Sequence, residues 1–262
     1  MRVLTAGIYQ FDIRQGAVDT NVQSALEGIS RLSDQGVDLA VLPEMFSSSF
    51  DYPALSEHAQ KTPGIIEILA KTAADKSVVI AGSLPEAHAG GIYNTLYVID
   101  KNGEMAGRYR KTHLFSLIAE DKNLEPGRTA VVCDTSGGRL GLMICYDLRF
   151  AEMGVHLAAG GARMIVLCAQ WPAVRIDHWD ALLMARAIEN QVFVVAANRC
   201  GADSDSGFNG HSRIIAPDGA ILADAGQVPA HVSAELDFSV IDNLRTRFCP
   251  VAQRVPAAYP PA

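Results

Sequence analysis

The sequence predicts an α/β fold with mixed sheets, and three observations carry that prediction. Strand-like segments are apolar almost throughout, helical segments repeat their apolar residues at three-or-four spacing, and two hairpins carry strong turn signals. Strands apolar on both sides imply sheets covered on both faces.

Taken in order, residues 3–11 read as the first strand and residues 21–35 as a helix with Val22, Leu26, Ile29 and Leu32 on one face. Residues 38–43 form the next strand. A shorter helix is expected over 65–74, with Pro63 suited to its start. After a strand at 77–82, the segments 93–100 and 104–110 flank Lys101-Asn102-Gly103 as a hairpin. Strands follow at 139–144, 163–169 and 191–197, with a helix at 177–190 that aligns Trp179, Leu182, Leu183 and Ala187. A second hairpin joins Ile214-Ile215 to Ile221-Leu222 through Pro217-Asp218-Gly219. No repeat or flexible linker divides the chain, so one domain over 1–262 is expected, with a tail at about 240–262 that is Pro-rich from 255.

Composition narrows the function. Lys and Arg number 22 against 29 Asp and Glu, a formal charge of −7, and no basic block is present. Neither nucleic acid nor an anionic membrane is an expected partner. No apolar run approaches the ~18 residues of a membrane span, and the first 13 residues lack the character of a signal peptide. The expected location is the cytoplasm. The cysteines at 133, 145, 168, 200 and 249 form no CxxC pair, which fits a reducing compartment and argues against structural zinc. His178 and His211 have no second ligand at short spacing, and no glycine-rich phosphate loop follows a strand, so no metal or organic cofactor is expected.

Three strand ends carry reactive side chains. RLGLMICYDLRF (139–150) is an apolar strand that stops at Cys145 and turns into a helix. A thiol there faces unpaired backbone N–H groups, which favour a thiolate and later an oxyanion. Cys133 and Cys168 lie inside apolar strands and read as small buried hydrophobes. Cys145 alone could be read the same way. The strand at 38–43 delivers Glu44, and the hairpin strand ends at Lys111. Alone, a Glu after a strand reads as a solvated or capping group and such a Lys as surface charge. In open α/β folds, however, functional groups collect outside the carboxyl ends of strands.

The segments LAVLPEMF, RYRKTHLF and LMICYDLRF resemble, in that order, the Glu, Lys and Cys motifs of the nitrilase (carbon–nitrogen hydrolase) superfamily. Their separations of 67 and 34 residues also suit it, and the likeness extends over about 3–236. Tyr93-Asn94-Thr95, the stretch at 178–199 and GHSRIIAPDG (210–219) resemble the omega-amidase branch, which acts on ω-amides of keto acids such as 2-oxoglutaramate and 2-oxosuccinamate. AQWPAVRIDHW, with Trp171 and Arg175, is most similar to its bacterial members. The resemblance implies a four-layer αββα sandwich, a homodimer formed through helices leaving the active-site region, and Glu44, Lys111 and Cys145 as catalytic residues. It also implies a second carboxylate, matched by Glu120, with Glu125 as its rival.

Such a site would hydrolyse a small amide. Glu44 takes the thiol proton as Cys145 attacks, and Lys111 with the backbone N–H of Tyr146 holds the oxyanion. Arg175 and Arg199 are candidates for a substrate carboxylate, and Phe50, Tyr93 and Trp171 are candidates to line the pocket. Asp147 and Arg149 are expected to support the turn. Rival readings are a Cys–His enzyme using His113, His178 or His211, and a binding protein of the same fold without catalysis. Within the family, deaminated-glutathione amidase, nitrilase and N-carbamoyl hydrolysis would use the same three residues.

Overall fold

A computed structural model of the chain describes residues 3–204 and 206–258. Its first half runs β1 (Val3–Gln10), α1 (Val18–Asp34), β2 (Leu39–Val41), α2 (Leu55–Lys76), β3 (Val79–His88), β4 (Gly91–Ile99), β5 (Met105–Arg110) and α3 (Glu120–Asn123). Next come β6 (Val132–Thr135), β7 (Gly138–Ile144), α4 (Ala151–Ala159), β8 (Met164–Ala169), α5 (Ile176–Asn190) and β9 (Phe193–Asn198). The last part holds β10 (Cys200–Ala202), β11 (Gly207–Asn209), β12 (Arg213–Ile215), β13 (Ile221–Asp224), β14 (Ala230–Asp237) and α6 (Ser239–Arg247).

Two six-stranded mixed sheets result, ordered β14-β1-β2-β3-β4-β5 and β13-β12-β9-β8-β7-β6. The alternation of side chains along each strand builds the layers. In the first sheet Leu4, Ala6, Ile8, Leu39, Val41, Val79, Ala81, Leu96 and Val98 enter one core with Leu140, Leu142 and Val166 of the second sheet. The intervening Ala40, Ile80, Tyr97 and Ile99 pack with Ala25, Ile29 and Leu32 of α1 and Ile65 and Leu69 of α2. On the far side, Leu157 of α4 and Trp179 and Leu183 of α5 join the core of the second sheet. The order helix, sheet, sheet, helix explains why so many strands are apolar on both faces. Among the described residues no helix is long and apolar enough to cross a membrane.

The structure differs from the local expectations in four places. Helix α2 begins ten residues before the expected 65 and runs through Pro63. An internal proline removes one N–H bond and costs about 3 kcal/mol, but Leu55, Ala59, Ile65, Leu69 and Ala73 share one buried face. Burying each large aliphatic group contributes about 1.5–3 kcal/mol, so packing outweighs the break. Strand β14 was not anticipated; it pairs antiparallel with β1 from Val3↔Asp237 to Gln10↔Ala230. The expected tail begins as helix α6, held by buried Ile241, the Arg163–Asp242 ion pair, and Arg245 donating to the carbonyls of Asn190 and Gln191. The last four residues of the tail lie outside the described residues.

Strand β3 also extends past the expected 82 to His88, paired with β4. The extension brings Glu86 under Thr95 (2.7 Å), Arg108 (3.1 Å) and both arms of Arg110 (2.7 and 2.8 Å). Burial opposes the Glu86 charge, but Arg110, Thr95 and Arg108 outweigh it and lower the pKa. Glu86→Gln is therefore expected to cost about 1–3 kcal/mol at neutral pH. A depressed carboxyl stabilises the fold above its ordinary value of 4.5 and loses that effect as pH falls through the folded value. Urea denaturation at pH 7 and pH 3 checks both points: the gap between the two proteins should narrow at the lower pH.

Candidate active site

Three strand ends of two sheets meet at one place. After β2 the chain crosses toward the second sheet, with Glu44 N–H donating to Ala169 O (3.4 Å) and Met45 N–H to Ser83 Oγ (2.8 Å). Lys111 follows β5 directly, fixed by its N–H to Asn94 O and by Gly127 N–H to its own carbonyl, both 2.8 Å. Cys145 follows β7 in left-handed backbone (φ 45°) and opens a short 3₁₀ turn, Cys145–Arg149. Met45 (φ 44°), Ser49 (φ 55°) and Ala119 (φ 59°) adopt the same conformation beside Glu44 and Glu120. Each such non-glycine residue costs roughly 1–2 kcal/mol. Backbone strain is thus gathered around these side chains, as it is at functional sites elsewhere.

Lys111 Nζ lies 2.8 Å from Glu44 Oε1 and 2.7 Å from Glu120 Oε1, and all three side chains are almost fully buried. Glu44 Oε1 also accepts from Asn94 Nδ2 (2.8 Å), and its Oε2 accepts from Gln170 N–H (2.9 Å). Glu120 Oε2 accepts from Phe115 N–H (2.6 Å). Exposed Glu125 instead follows α3 and packs beside Gly91. Glu44 and Lys111 are the charged groups that act most strongly on the Cys145 thiol, which lies beside them. The cluster therefore joins the three reactive groups and the second carboxylate.

The charges are unequal partners. Burial opposes the Lys111 ammonium, but Glu120, Glu44 and Cys145 together hold its pKa well above the ordinary value. Burial raises the Glu120 carboxyl, with Lys111 opposing and Glu44 adding. Burial also pushes the Cys145 thiol well up, reinforced by Glu44 and Glu120 against Lys111. At neutral pH the sulfur therefore rests as a thiol and needs a base at the moment of attack. Glu44 is the charge that acts on it most strongly, and it can serve.

Asp147 holds the turn. Its Oδ2 accepts from Ile144 N–H (2.9 Å) and Tyr109 OH (2.7 Å), and its Oδ1 from the N–H of His113 (3.2 Å), whose Nδ1 lies 2.7 Å away. The Cys and Lys segments are so tied together. Arg149 does not support the turn as expected. Its guanidinium lies 4.7 Å over the Trp171 ring, in the wall of a cavity.

That cavity, about 650 Å³, opens above Cys145 and Lys111. Phe50, Tyr146, Trp171 and Arg175 line it, as do Tyr52, Arg149 and Gln170, which the sequence reading did not place there. Tyr93 is elsewhere. Successive residues of a strand point to opposite faces, so Asn94 reaches Glu44 while Tyr93 lies under the Arg110 guanidinium (4.3 Å) in a separate cleft. Arg199 is also not free for a substrate: it is buried, with Asp12 at 3.2 Å and Asp203 at 3.1 Å, and it donates to Ser49 and Gln170 behind the cavity wall. Arg149 and Arg175 have no carboxylate partner among the described residues. Each rival base is engaged by another side chain: His113 by Asp147, His178 by Arg149 and His211 by Asp180.

Asn94 and Gln170 are the polar contacts of Glu44 that sequence reasoning missed. Asn94 sits within the Tyr93-Asn94-Thr95 motif, and Gln170 directly follows an apolar strand, the same signal that singled out Glu44 and Cys145.

Known proteins resemble this chain in sequence and in fold. The sequence model of the carbon–nitrogen hydrolase family matches residues 5–246. A 2-oxoglutaramate amidase of Bacillus subtilis is 39% identical over 235 residues, covering 89% of this chain and 90% of that protein. The human omega-amidase NIT2 is 35% identical, covering 86% of each. Among solved structures, Nit3 of Saccharomyces cerevisiae, a member of branch 10 of the nitrilase superfamily, superposes with a TM-score of 0.87 at 28% identity, covering 94% of each chain. A carbon–nitrogen hydrolase from Helicobacter pylori superposes at 0.93 over 98% of this chain and 97% of its own; at 23% identity it speaks for the fold alone.

Proposed function

The chain belongs to the carbon–nitrogen hydrolase family and is a hydrolase of carbon–nitrogen bonds other than peptide bonds; on that premise we propose that it cleaves the ω-amide of a small keto or dicarboxylic acid, such as 2-oxoglutaramate, to the acid and ammonia. The observation that carries the reading is a buried Glu44 bonded to Lys111 and lying beside Cys145, beneath a cavity whose wall presents two arginines with no carboxylate partner among the described residues.

The reaction follows from the charges. Glu44 accepts the thiol proton as Cys145 Sγ attacks the amide carbon. The carbonyl oxygen becomes negative and is met by Lys111 and by the N–H of Tyr146, whose place in the first turn leaves it without an intrahelical acceptor. Glu44 returns the proton to nitrogen, which leaves as ammonia, and a thioester remains on Cys145. Glu44 then deprotonates water, which adds to the thioester and frees the acid and the thiol. Glu120 holds Lys111 in place, and Asn94 and Gln170 hold Glu44.

At the other end of the substrate, Arg149 and Arg175 take the carboxylate. A charge-assisted hydrogen bond is worth about 1.5–3 kcal/mol, so Arg149→Met and Arg175→Met are each expected to raise KM roughly ten- to hundredfold with a smaller effect on kcat. Steady-state kinetics on 2-oxoglutaramate checks this; an unchanged KM in both variants would place the carboxylate elsewhere. Two cations also disfavour an α-ammonium group, so glutamine should be a far poorer substrate.

Ammonia release from 2-oxoglutaramate, compared with glutamine, deaminated glutathione and simple nitriles, tests the proposal. Preference for 2-oxoglutaramate is expected. Activity on nitriles or deaminated glutathione without any on ω-amides would overturn it. The proposal includes a reducing, cytoplasmic setting, supported by five unpaired cysteines, and a homodimer, supported by the exposed Met184 and Ile188 on α5.

A further inference from the structure

Among the polar side chains of the cavity wall, Tyr52 stands apart. Of the side chains that line the cavity, only its hydroxyl is both shielded from solvent and without a hydrogen-bond partner among the described residues. Leaving a buried donor unmade is costly, and nothing about the ring's position is loose. Tyr52 starts a short 3₁₀ turn, Tyr52–Ala54, with its N–H on Phe50 O (3.0 Å). Its ring packs with Phe50 against an apolar cluster of Met45, Leu55 and Leu124.

The hydroxyl makes no hydrogen bond to the charged groups nearest it. Tyr52 packs with Met45, which follows Glu44, and with Leu124, whose N–H donates to Glu120 O (2.8 Å), and it lines the cavity together with Lys111 and Cys145, so it sits at the reacting end; Glu120, Lys111 and Glu44 are the charges that act on it most strongly. Both Glu120 oxygens already accept, from Lys111 and Phe115. Both Glu44 oxygens accept as well, from Asn94, Lys111 and Gln170. Lys111 is an ammonium and has no lone pair. Burial raises the phenol's pKa, with Glu120 acting in the same direction, so it remains a donor throughout the neutral range. An amide nitrogen brings donors only, and the substrate carboxylate lies with Arg149 and Arg175. The acceptor that an amide substrate brings to Cys145 and Lys111 is the amide oxygen.

From this we infer that Tyr52 is a further catalytic residue, donating a hydrogen bond to the oxygen of the scissile amide as that oxygen becomes negative. The inference rests on the amidase reading above. It adds a third oxyanion donor beside Lys111 and the Tyr146 N–H, placed by the loop that follows Glu44 rather than by the Lys or Cys segments.

The test is Tyr52→Phe assayed on succinamate, which has an amide and a carboxylate but no keto group, and on 2-oxoglutaramate. Loss of one oxyanion donor should lower kcat about ten- to hundredfold on both, with KM changed less than about threefold. Succinic semialdehyde, whose carbonyl carbon bonds to Cys145 Sγ while the thiol proton passes to the new alkoxide, should bind more weakly by the same factor. Succinate, with no carbonyl to attack at that end, should bind as before. Because the substitution deletes an unpaired hydroxyl, the thermal midpoint should stay or rise, which separates lost chemistry from lost folding. A kcat within threefold of the parent overturns the inference, as does equal weakening of aldehyde and succinate. A loss confined to 2-oxoglutaramate also overturns it, since the hydroxyl would then serve the keto oxygen. If the unsubstituted enzyme releases ammonia from neither amide, the amidase reading fails and this inference falls with it; if it does and Tyr52→Phe matches it, only this inference fails.

Discussion

Cys145→Ala is expected to lower ammonia release by roughly 10⁵-fold or more, the scale seen when a nucleophile that acts as a unit with its base is removed. No other side chain is placed to take over. Ser49 also lines the cavity, but its hydroxyl is committed to Gln170 Oε1 (3.0 Å) and it has no base of its own. The fold should survive. Only one sulfur is lost from the core, and alanine keeps the same left-handed backbone at similar strain, so a cost of about 1 kcal/mol is expected. Mass spectrometry of the intact protein during turnover supplies the second readout: an acyl adduct on the parent chain and none on the variant. Activity within a hundredfold of the parent would remove Cys145 from the chemistry altogether.

The parts of the fold legible in the sequence are those with a strong local period. Strands β1, β2, β7, β8 and β9 could be read because packing on both faces leaves them apolar along most of their length. Strand β14 could not, since only Leu236 in it is buried and its place comes from pairing with β1 at the sheet edge. The start of α2 was hidden for a similar reason: Pro63 is a local stop signal, and the buried face that overrides it is tertiary.

The site divides along the same line. Glu44, Lys111 and Cys145 each end a strand, which is a one-dimensional signal. Whether Tyr93 or Asn94 reaches the site depends on which face of β4 turns inward. Arg199 and Arg149 exchanged roles for a reason no spacing discloses: Asp12 and Asp203 close around Arg199, while Arg149 is left over Trp171 in the cavity wall.

Lys111→Met should have the largest effect on stability, because it removes the cation from between two carboxylates that are themselves fully buried. Breaking a buried ion pair from one side typically costs about 3–5 kcal/mol, and here two partners are stranded. The penalty has a pH signature. The raised Lys111 pKa means that its stabilisation is complete below the ordinary value of 10.5 and lost only as pH rises through the higher folded value, so across pH 4–8 it is constant in the parent. In the variant nothing opposes the repulsion between Glu44 and Glu120, and the Glu120 carboxyl, already raised with Lys111 present, must rise further. A raised carboxyl favours folding at low pH and withdraws that help as pH climbs toward the folded value. The variant should thus be least impaired near pH 4 and most impaired near pH 8. Adding Glu120→Gln to Lys111→Met should recover part of the stability by leaving one buried charge instead of two, yet no activity, since the ammonium that meets the oxyanion is still missing. Urea denaturation across that pH range, with turnover measured alongside, checks the argument; a gap from the parent that stays flat with pH would mean that the two carboxylates do not depend on Lys111.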